Sequence, residues 1–203
     1  MSLLTLMRRV SLQSSLPVFD TIVSNTDRTV IELLNAAHEA GEEITRRAEW
    51  SMLYAEDTVP ALATSRTLPT GFHRLIQGGA ISYAASPFTP ILPVKAADVW
   101  LAISNAPSAQ PYYFIKSGAI RFSPAIPTGG ALVRYVTGNW ISSNGSPVST
   151  FATDADTPYF TEPLLALGTL WRYKRMKGLQ FDDIEAEFEA ELAREIAADR
   201  GFS

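Results

Sequence analysis

Apolar residues recur every three to four positions at both ends of the chain, and this spacing predicts helices there. A short amphipathic helix is predicted before Pro17, since the ring of proline is tolerated after a helix but not inside it. A longer helix is predicted over residues 27–49, with Asp27 as its N-cap. The apolar stripe of the longer helix consists of Val30, Leu33, Leu34, Ala37, Ala40, Ile44 and Ala48.

The C-terminal part predicts two further helices, over residues 161–177 and 182–199. The hydroxyl of Thr161 is suited to cap the first of them, and Gly178 supplies the left-handed residue that ends it. Trp171 lies on the apolar stripe of that helix, so we expect its indole to be largely buried.

The middle of the chain, residues 50–160, has the pattern of strands and turns and contains eleven of the thirteen prolines. Ser117 and Gly118 separate two alternating segments, which predicts a β-hairpin. We also predict a strand over Ala131–Val136, a short helix over residues 93–100 and a long surface loop over residues 139–158.

Together these elements predict an α+β fold. Helices from both ends of the chain must bury their apolar stripes against one another, which predicts an antiparallel bundle of residues 1–49 and 161–203. Residues 50–160 then form a β-rich insertion.

Composition narrows the classes of function. The net charge is −4, whereas a protein that grips duplex DNA needs a basic footprint. There is no cysteine, which excludes disulfides and zinc–thiolate sites. The N-terminal residues lack the charge order of a signal peptide, because Arg8 and Arg9 follow the short apolar run. No stretch approaches the roughly 18 apolar residues of a membrane span.

Two sets of charged residues on the C-terminal helices are candidate contacts of a subunit interface. Opposite charges on the two helices can pair within one subunit or between neighbouring subunits, and the sequence leaves both possibilities open. The basic set is Arg172, Lys174, Arg175 and Lys177, and the acidic set is Glu185, Glu187, Glu189 and Glu191.

Catalytic candidates are few, and we predict a protein that is not an enzyme, without catalytic residues, cofactor or metal. His38 and His73 have no partner at metal-ligand spacing, and His38 is expected to be a surface or rim residue. Asp154, Asp156 and Glu162 could divide acid and base roles, as in a carboxylate-dependent hydrolase. The same acids also fit a turn that leads into a helix.

A second alternative is a carbohydrate-binding module. Aromatic side chains that share one exposed surface can stack against sugar rings, although aromatic residues at such spacing are more often a core. The candidates in the β-rich insertion are Tyr83, Phe88, Tyr112, Tyr113 and Trp140.

The order of segments resembles the head-to-tail adaptor (head-completion or connector) family of tailed bacteriophages. The resemblance covers most of the chain from about residue 27. Its segments are Glu43–Trp50, Thr67–Leu75, Tyr113–Ala125, Val133–Tyr135 with Asn139–Trp140, Phe151–Pro158 and Leu164–Leu179 with the acidic helix that follows.

This resemblance implies a structural virion protein, made in the host bacterial cytoplasm and located in the neck. Such a protein forms a ring, usually dodecameric, beneath the portal. The ring extends the DNA channel, contacts the genomic DNA without sequence specificity and carries the next connector or tail terminator protein. The implied portal-docking residues are Leu192, Ile196, Arg200, Gly201 and Phe202. Deleting residues 198–203 is therefore expected to preserve thermal stability but to abolish capture by portal rings.

Overall fold

The computed structural model describes residues 1–85, 89–106 and 109–201, and its fold is α+β, as predicted. The chain forms two compact units. The helical unit contains Met1–Leu53 and Gly138–Ser203, and the β-rich unit contains Tyr54–Thr137. Residues 138–160 therefore lie with the helices, whereas the sequence analysis placed them in the insertion.

The described elements follow one another as five helices and eleven strands. The helices are α1 (Leu3–Gln13), α2 (Arg28–Arg47), α3 (Ala97–Asn105), α4 (Glu162–Met176) and α5 (Asp182–Asp199). The strands are β1 (Tyr54–Val59), β2 (Ser65–Thr67), β3 (Phe72–Leu75), β4 (Ile81–Tyr83), β5 (Leu92–Pro93), β6 (Tyr112–Lys116), β7 (Ala119–Ser123), β8 (Ala131–Thr137), β9 (Ile141–Ser143), β10 (Ser146–Val148) and β11 (Thr157–Pro158).

The helices of the helical unit begin and end close to their predicted positions. The carboxylate of Asp27 accepts the N–H of Thr29 at 2.7 Å, which confirms the predicted cap of α2. Thr161 does precede α4, but the prediction of its side-chain cap is wrong. Its hydroxyl donates to Glu195 on α5 at 3.1 Å instead.

Small and aromatic residues set the packing of α2, α4 and α5. A Cβ added at Gly168 of α4 would lie 3.1 Å from the Cβ of Ala40 on α2 and 3.1 Å from the ring of Phe188 on α5. The missing side chain therefore lets three helices approach one another closely. Trp171 is 6% exposed and packs near Phe188, as predicted.

The prediction of a surface loop over residues 139–158 is wrong. This segment contains the small sheet β10-β9-β11, and its aromatic residues Trp140 and Phe151 are buried, as is Phe160 just after it. A Cβ at Gly41 of α2 would overlap the six-membered ring of Trp140. Polar residues between these aromatic side chains gave the segment the composition of a loop, although the aromatics anchor it against α2.

Two four-stranded sheets form the β-rich unit. In one, β8 pairs with β1, β3 and β4, and the other has the order β2-β7-β6-β5. Both sheets contribute to one core, to which Val59, Ile120 and Val133 belong. The predicted hairpin is present as β6 and β7, and the predicted strand is present as β8.

The short helix of this unit begins later than predicted. Residues 92–93 form β5, which pairs in parallel with β6, and α3 starts only at Ala97. The N–H groups of Leu92 and Val94 donate to carbonyls of Pro111 and Tyr113 at 3.0 and 2.8 Å. These bonds keep residues 92–94 extended, so the helix begins only at Ala97.

Candidate assembly surfaces

The basic set of the sequence analysis is largely held within the helical unit. Arg172 is 6% exposed, donates to the carbonyl of Gly168 at 2.7 Å and pairs with Glu43 on α2. Lys177 pairs with Glu32, also on α2. Burial lowers the pKa of Arg172, and the negative charge of Glu43 opposes that change. Arg172 and Lys177 therefore connect α4 and its C-terminal end to α2.

Arg175 and Lys174 are different from these two. The guanidinium of Arg175 lies 5.1 Å from the centroid of the Trp171 ring and is exposed. Neither side chain forms a salt bridge among the described residues. They are the members of the basic set whose charge is open to solvent or to a partner.

The acidic set divides in the same way. Glu189 pairs with Arg47 on α2, and Glu191 pairs with Arg194 one turn further along α5. Glu185 and Glu187 have no salt bridge within the described part of the chain, and Glu187 is exposed. The ion pairs that reach α2 thus stabilise the bundle, and the remaining acids face outward.

The C-terminal candidates for portal docking are arranged along the end of α5. Leu192 is 2% exposed and belongs to the bundle core, so it supports the helix. Ile196 is half-buried, whereas Arg200 and Gly201 are exposed. Phe202 lies outside the described residues. Asp199 accepts the N–H and the hydroxyl of Ser51, at 3.0 and 2.6 Å, and so fixes the last turn.

The three candidate catalytic carboxylates all bind neighbouring groups of the fold. Asp154 accepts the N–H groups of Ile22 and Val23 at 3.1 and 2.8 Å. Glu162 accepts a bond from Arg9 at 3.1 Å. These bonds hold the N-terminal segment against the C-terminal half of the helical unit, which is a structural role.

Asp156 has the strongest set of partners of the three. It is 2% exposed and accepts the N–H of Ala152 at 2.6 Å and the N–H and hydroxyl of Thr153 at 2.9 and 2.7 Å. Burial of the carboxyl raises its pKa, but these hydrogen bonds and one from Ser143 outweigh it and lower the pKa of Asp156 to about 2. The carboxylate is permanently ionised near neutral pH.

His38 is also a structural residue, and the prediction of a surface position is only half right. Its ring stacks on Phe151 with centroids 5.3 Å apart, and its Nε2 accepts the N–H of Phe151 at 3.1 Å. Burial lowers the pKa of His38, and the nearby Glu42 opposes the shift. The neutral imidazole therefore fastens residue 151 to α2.

The aromatic candidates do not support a carbohydrate platform. Trp140 is buried in the helical unit and Tyr113 in the core of the β-rich unit. Tyr83 packs against that same core, and Tyr112 is half-buried. Phe88 lies outside the described residues. Buried rings cannot offer a face to a sugar.

A surface that the sequence analysis missed lies on the outer side of the second sheet. Trp100 of α3 stacks on Phe114 of β6, with ring centroids 5.6 Å apart. A cleft of about 400 Å³ runs beside this pair, lined by Trp100, Ser65 and Arg121. The hairpin that pairs Phe114 with Arg121 was predictable from the sequence. The position of α3 on the sheet was not.

Two further observations concern the described residues alone. None of the helices there has the length and apolar character that crossing a bilayer requires. Nor does that part of the chain bring three or more His, Asp or Glu side chains together in a cluster able to hold a metal ion.

Internal ion pairs thus join the helices, and the candidate catalytic carboxylates hold neighbouring segments of the fold together. The sequence profile of the SU10 adaptor protein family matches residues 1–202. The chain therefore belongs to this family of phage head–tail adaptor proteins, as the resemblance predicted. It is a structural virion component whose family interacts with other head and tail proteins of the phage. No curated protein matches the chain.

Proposed function

We propose that the chain is one copy of a dodecameric ring beneath the portal, which extends the DNA channel and forms the attachment platform for the next connector or tail terminator protein. The observation that carries this proposal is the family match over residues 1–202. The ring acts by assembly and has no catalytic step. The structural use of Asp154, Asp156 and Glu162 supports this part of the proposal.

The proposed ring needs two different surfaces on each copy, because a closed ring is built from heterologous contacts. Exposed ion pairs contribute roughly 0–1 kcal/mol each, so apolar burial must supply most of the assembly energy. The charges that remain outward on α4 and α5, namely Lys174, Arg175, Glu185 and Glu187, are the ring contacts we retain from the two sets.

The proposed portal contact is the end of α5. Ile196, Arg200 and Gly201 lie there, and Phe202 follows them in the sequence. The apolar core residue Leu192 and the bonds from Ser51 to Asp199 hold the helix up to its last turn. A rigid helix that ends in exposed residues can present its end to a partner at little cost in ordering entropy.

The net charge of −4 supports passage of DNA through the ring without adhesion. Acidic side chains along a channel repel phosphate groups and keep the duplex mobile.

The experiment that tests this function is a measurement of mass and shape, with and without the portal. Purified chain is mixed with portal rings and examined by native mass spectrometry and electron microscopy. We expect a ring of adaptor copies on the portal, with the channel continuous through both. A chain that stays monomeric and does not bind portal rings would contradict the proposal.

A deletion and a control substitution test the docking segment. Deleting residues 200–203 should abolish portal binding, whereas an Arg28→Ala variant, changed at an exposed residue of α2, should bind as the wild type does. Normal portal binding by the truncated chain would place the contact elsewhere.

A further inference from the structure

The two compact units carry opposite net charges. The helical unit contains 18 Asp and Glu against 11 Lys and Arg, a net charge of −7. The β-rich unit contains three acidic residues against six basic ones, a net charge of +3. Head-to-tail association between identical copies needs two complementary surfaces on each chain, and opposite charges are one form of complementarity.

Two of the three acids of the β-rich unit already have partners, and the third, Asp98, is exposed on α3. Arg66 donates to both oxygens of Asp57, at 2.7 and 2.8 Å, and Arg134 pairs with Glu56 at 3.2 Å. Lys116 and Arg121 are exposed and form no salt bridge in the described part of this unit. Their charges are therefore available to an acidic partner.

The register of the hairpin puts these two cations on one side of the sheet. Arg121 lies opposite Phe114, and Lys116 is two residues further along the same strand as Phe114. The other side of the hairpin faces the core, since Tyr113, Ile120 and Phe122 are buried. Lys116 and Arg121 thus point outward together.

Helix α3 adds apolar area to this outer side. It is attached by the stacking of Trp100 on Phe114 and by the hydroxyl of Ser123, which donates to the carbonyl of Ile103 at 3.3 Å. None of its side chains is fully buried, and Val99 and Leu101 are 47% and 61% exposed. An apolar helix left this open is typical of a surface that a partner covers.

We call the surface formed by Trp100, Lys116, Arg121 and the two exposed flanks of α3, which carry Val99 and Leu101, the α3 face. Its apolar residues and its two cations, against the single exposed acid Asp98, favour a partner that is itself apolar and acidic. Helix α5 has this chemistry on its exposed side. Asp183 and Glu187 lie one turn apart there, and Ala186 lies between them. Neither acid has a salt bridge among the described residues.

We propose that the α3 face of one copy binds the exposed side of α5 of a second copy, with Lys116 and Arg121 opposite Asp183 and Glu187. The proposal rests on the ring function above and names the two surfaces that close the ring. Alanines on α5 permit close approach of the apolar residues of α3, and the opposite charges fix the register and exclude the reverse contact.

Charge exchange between the two surfaces tests the contact. One variant carries Lys116→Glu and Arg121→Glu, and the other carries Asp183→Lys and Glu187→Lys. Each variant alone has like charges on both surfaces, so we expect its self-association to weaken by roughly tenfold or more. An equal mixture restores opposite charges at every contact and should assemble as the wild type does. All four positions are exposed, so circular dichroism should show unchanged folding.

The matched control is Lys95→Glu, since Lys95 is an exposed cation of the same unit outside the α3 face. Assembly is measured by sedimentation, with and without portal rings. If either charge-reversed variant assembles like the wild type, or if the mixture stays dissociated, the proposed contact is wrong and the ring function stands. If the wild type itself forms no ring under either condition, the ring function fails with it.

Discussion

The helical unit and the β-rich unit use their charged residues differently. In the helical unit, Arg172, Lys177 and Glu189 all form ion pairs with residues of α2 and so fasten α4 and α5 to it. In the β-rich unit, Asp57 and Glu56 are paired, and Lys116 and Arg121 remain exposed on the side of the sheet where α3 packs. The comparison indicates that ion pairs between helices stabilise the helical unit, whereas the β-rich unit leaves cations exposed beside a weakly buried helix.

Their cores differ as well. The helical unit depends on close approach of backbones at Gly41 and Gly168, where any side chain would meet an aromatic ring. In the β-rich unit, Gly78 and Gly118 have left-handed backbones with open space around them. These two glycines serve turns, whereas Gly41 and Gly168 serve the packing of the helices.

The largest expected effect tests this difference in packing. A Gly41→Ala substitution should destabilise the helical unit by about 1–3 kcal/mol, because its Cβ overlaps the Trp140 ring. The measurement is urea unfolding followed by tryptophan fluorescence in a Trp100→Phe background, in which the remaining tryptophans, Trp50, Trp140 and Trp171, belong to the helical unit. Glu42→Ala, at the exposed neighbouring position, is the control and should change stability little. Equal stability of both variants would show that α2 can move away from Trp140.

Acid titration of Asp156 is expected to have the next largest effect. Its pKa is 3.8 as a reference and about 2 in the folded chain, so the unfolded state binds the proton first as pH falls. The stabilising contribution is complete well above pH 3.8 and is lost between that pH and about 2. This loss amounts to about 2 kcal/mol. Unfolding measured at pH 5 and near pH 2.5 should show that Asp156→Asn lacks this dependence, and a parallel decline in both chains would contradict it.

His38 gives a smaller effect nearer neutral pH. Burial lowers its pKa below the reference value of 6.5, so the unfolded state becomes protonated first. The neutral His38 ring therefore contributes to the stability of the folded chain above pH 6.5. This contribution is lost as pH falls through the pKa of the folded chain, because a protonated Nε2 cannot accept the N–H of Phe151. His38→Gln should unfold with less dependence on pH between 7 and 5, whereas His73→Gln, at an exposed position, should behave as the wild type. If the pH dependence of unfolding is reduced by His73→Gln and not by His38→Gln, the stabilising role of His38 is wrong.

The smallest effect concerns the end of α5. Deleting residues 200–203 should change stability by no more than about 0.5 kcal/mol, since Arg200 and Gly201 are exposed. Deleting residues 198–203 removes Asp199 and its bonds to Ser51, and should cost roughly 1 kcal/mol more. The earlier expectation that the longer deletion is neutral therefore requires revision. Thermal unfolding of both truncated chains checks it, and identical midpoints would show that the bonds to Ser51 contribute nothing.

Local patterns were sufficient for the principal helices, the hairpin and the strand β8. The positions of α2, α4 and α5 follow from apolar spacing and end residues, because helix formation and burial depend on neighbours three and four positions apart. The hairpin β6–β7 follows from two alternating segments around Ser117 and Gly118. Membership of an adaptor family was likewise predictable, since it depends on a series of segments in fixed order.

The sequence by itself therefore determined the α+β class, the principal helices, the hairpin and the family. Tertiary structure decided which charges remain available. Arg172 and Glu43 are distant along the chain, and their pairing depends on how α4 packs on α2. The packing of residues 138–160 against α2 depends on the fit of Trp140 over Gly41, and the α3 face depends on the docking of α3 against β6. These features arise from contacts between distant segments, whose geometry no local spacing encodes.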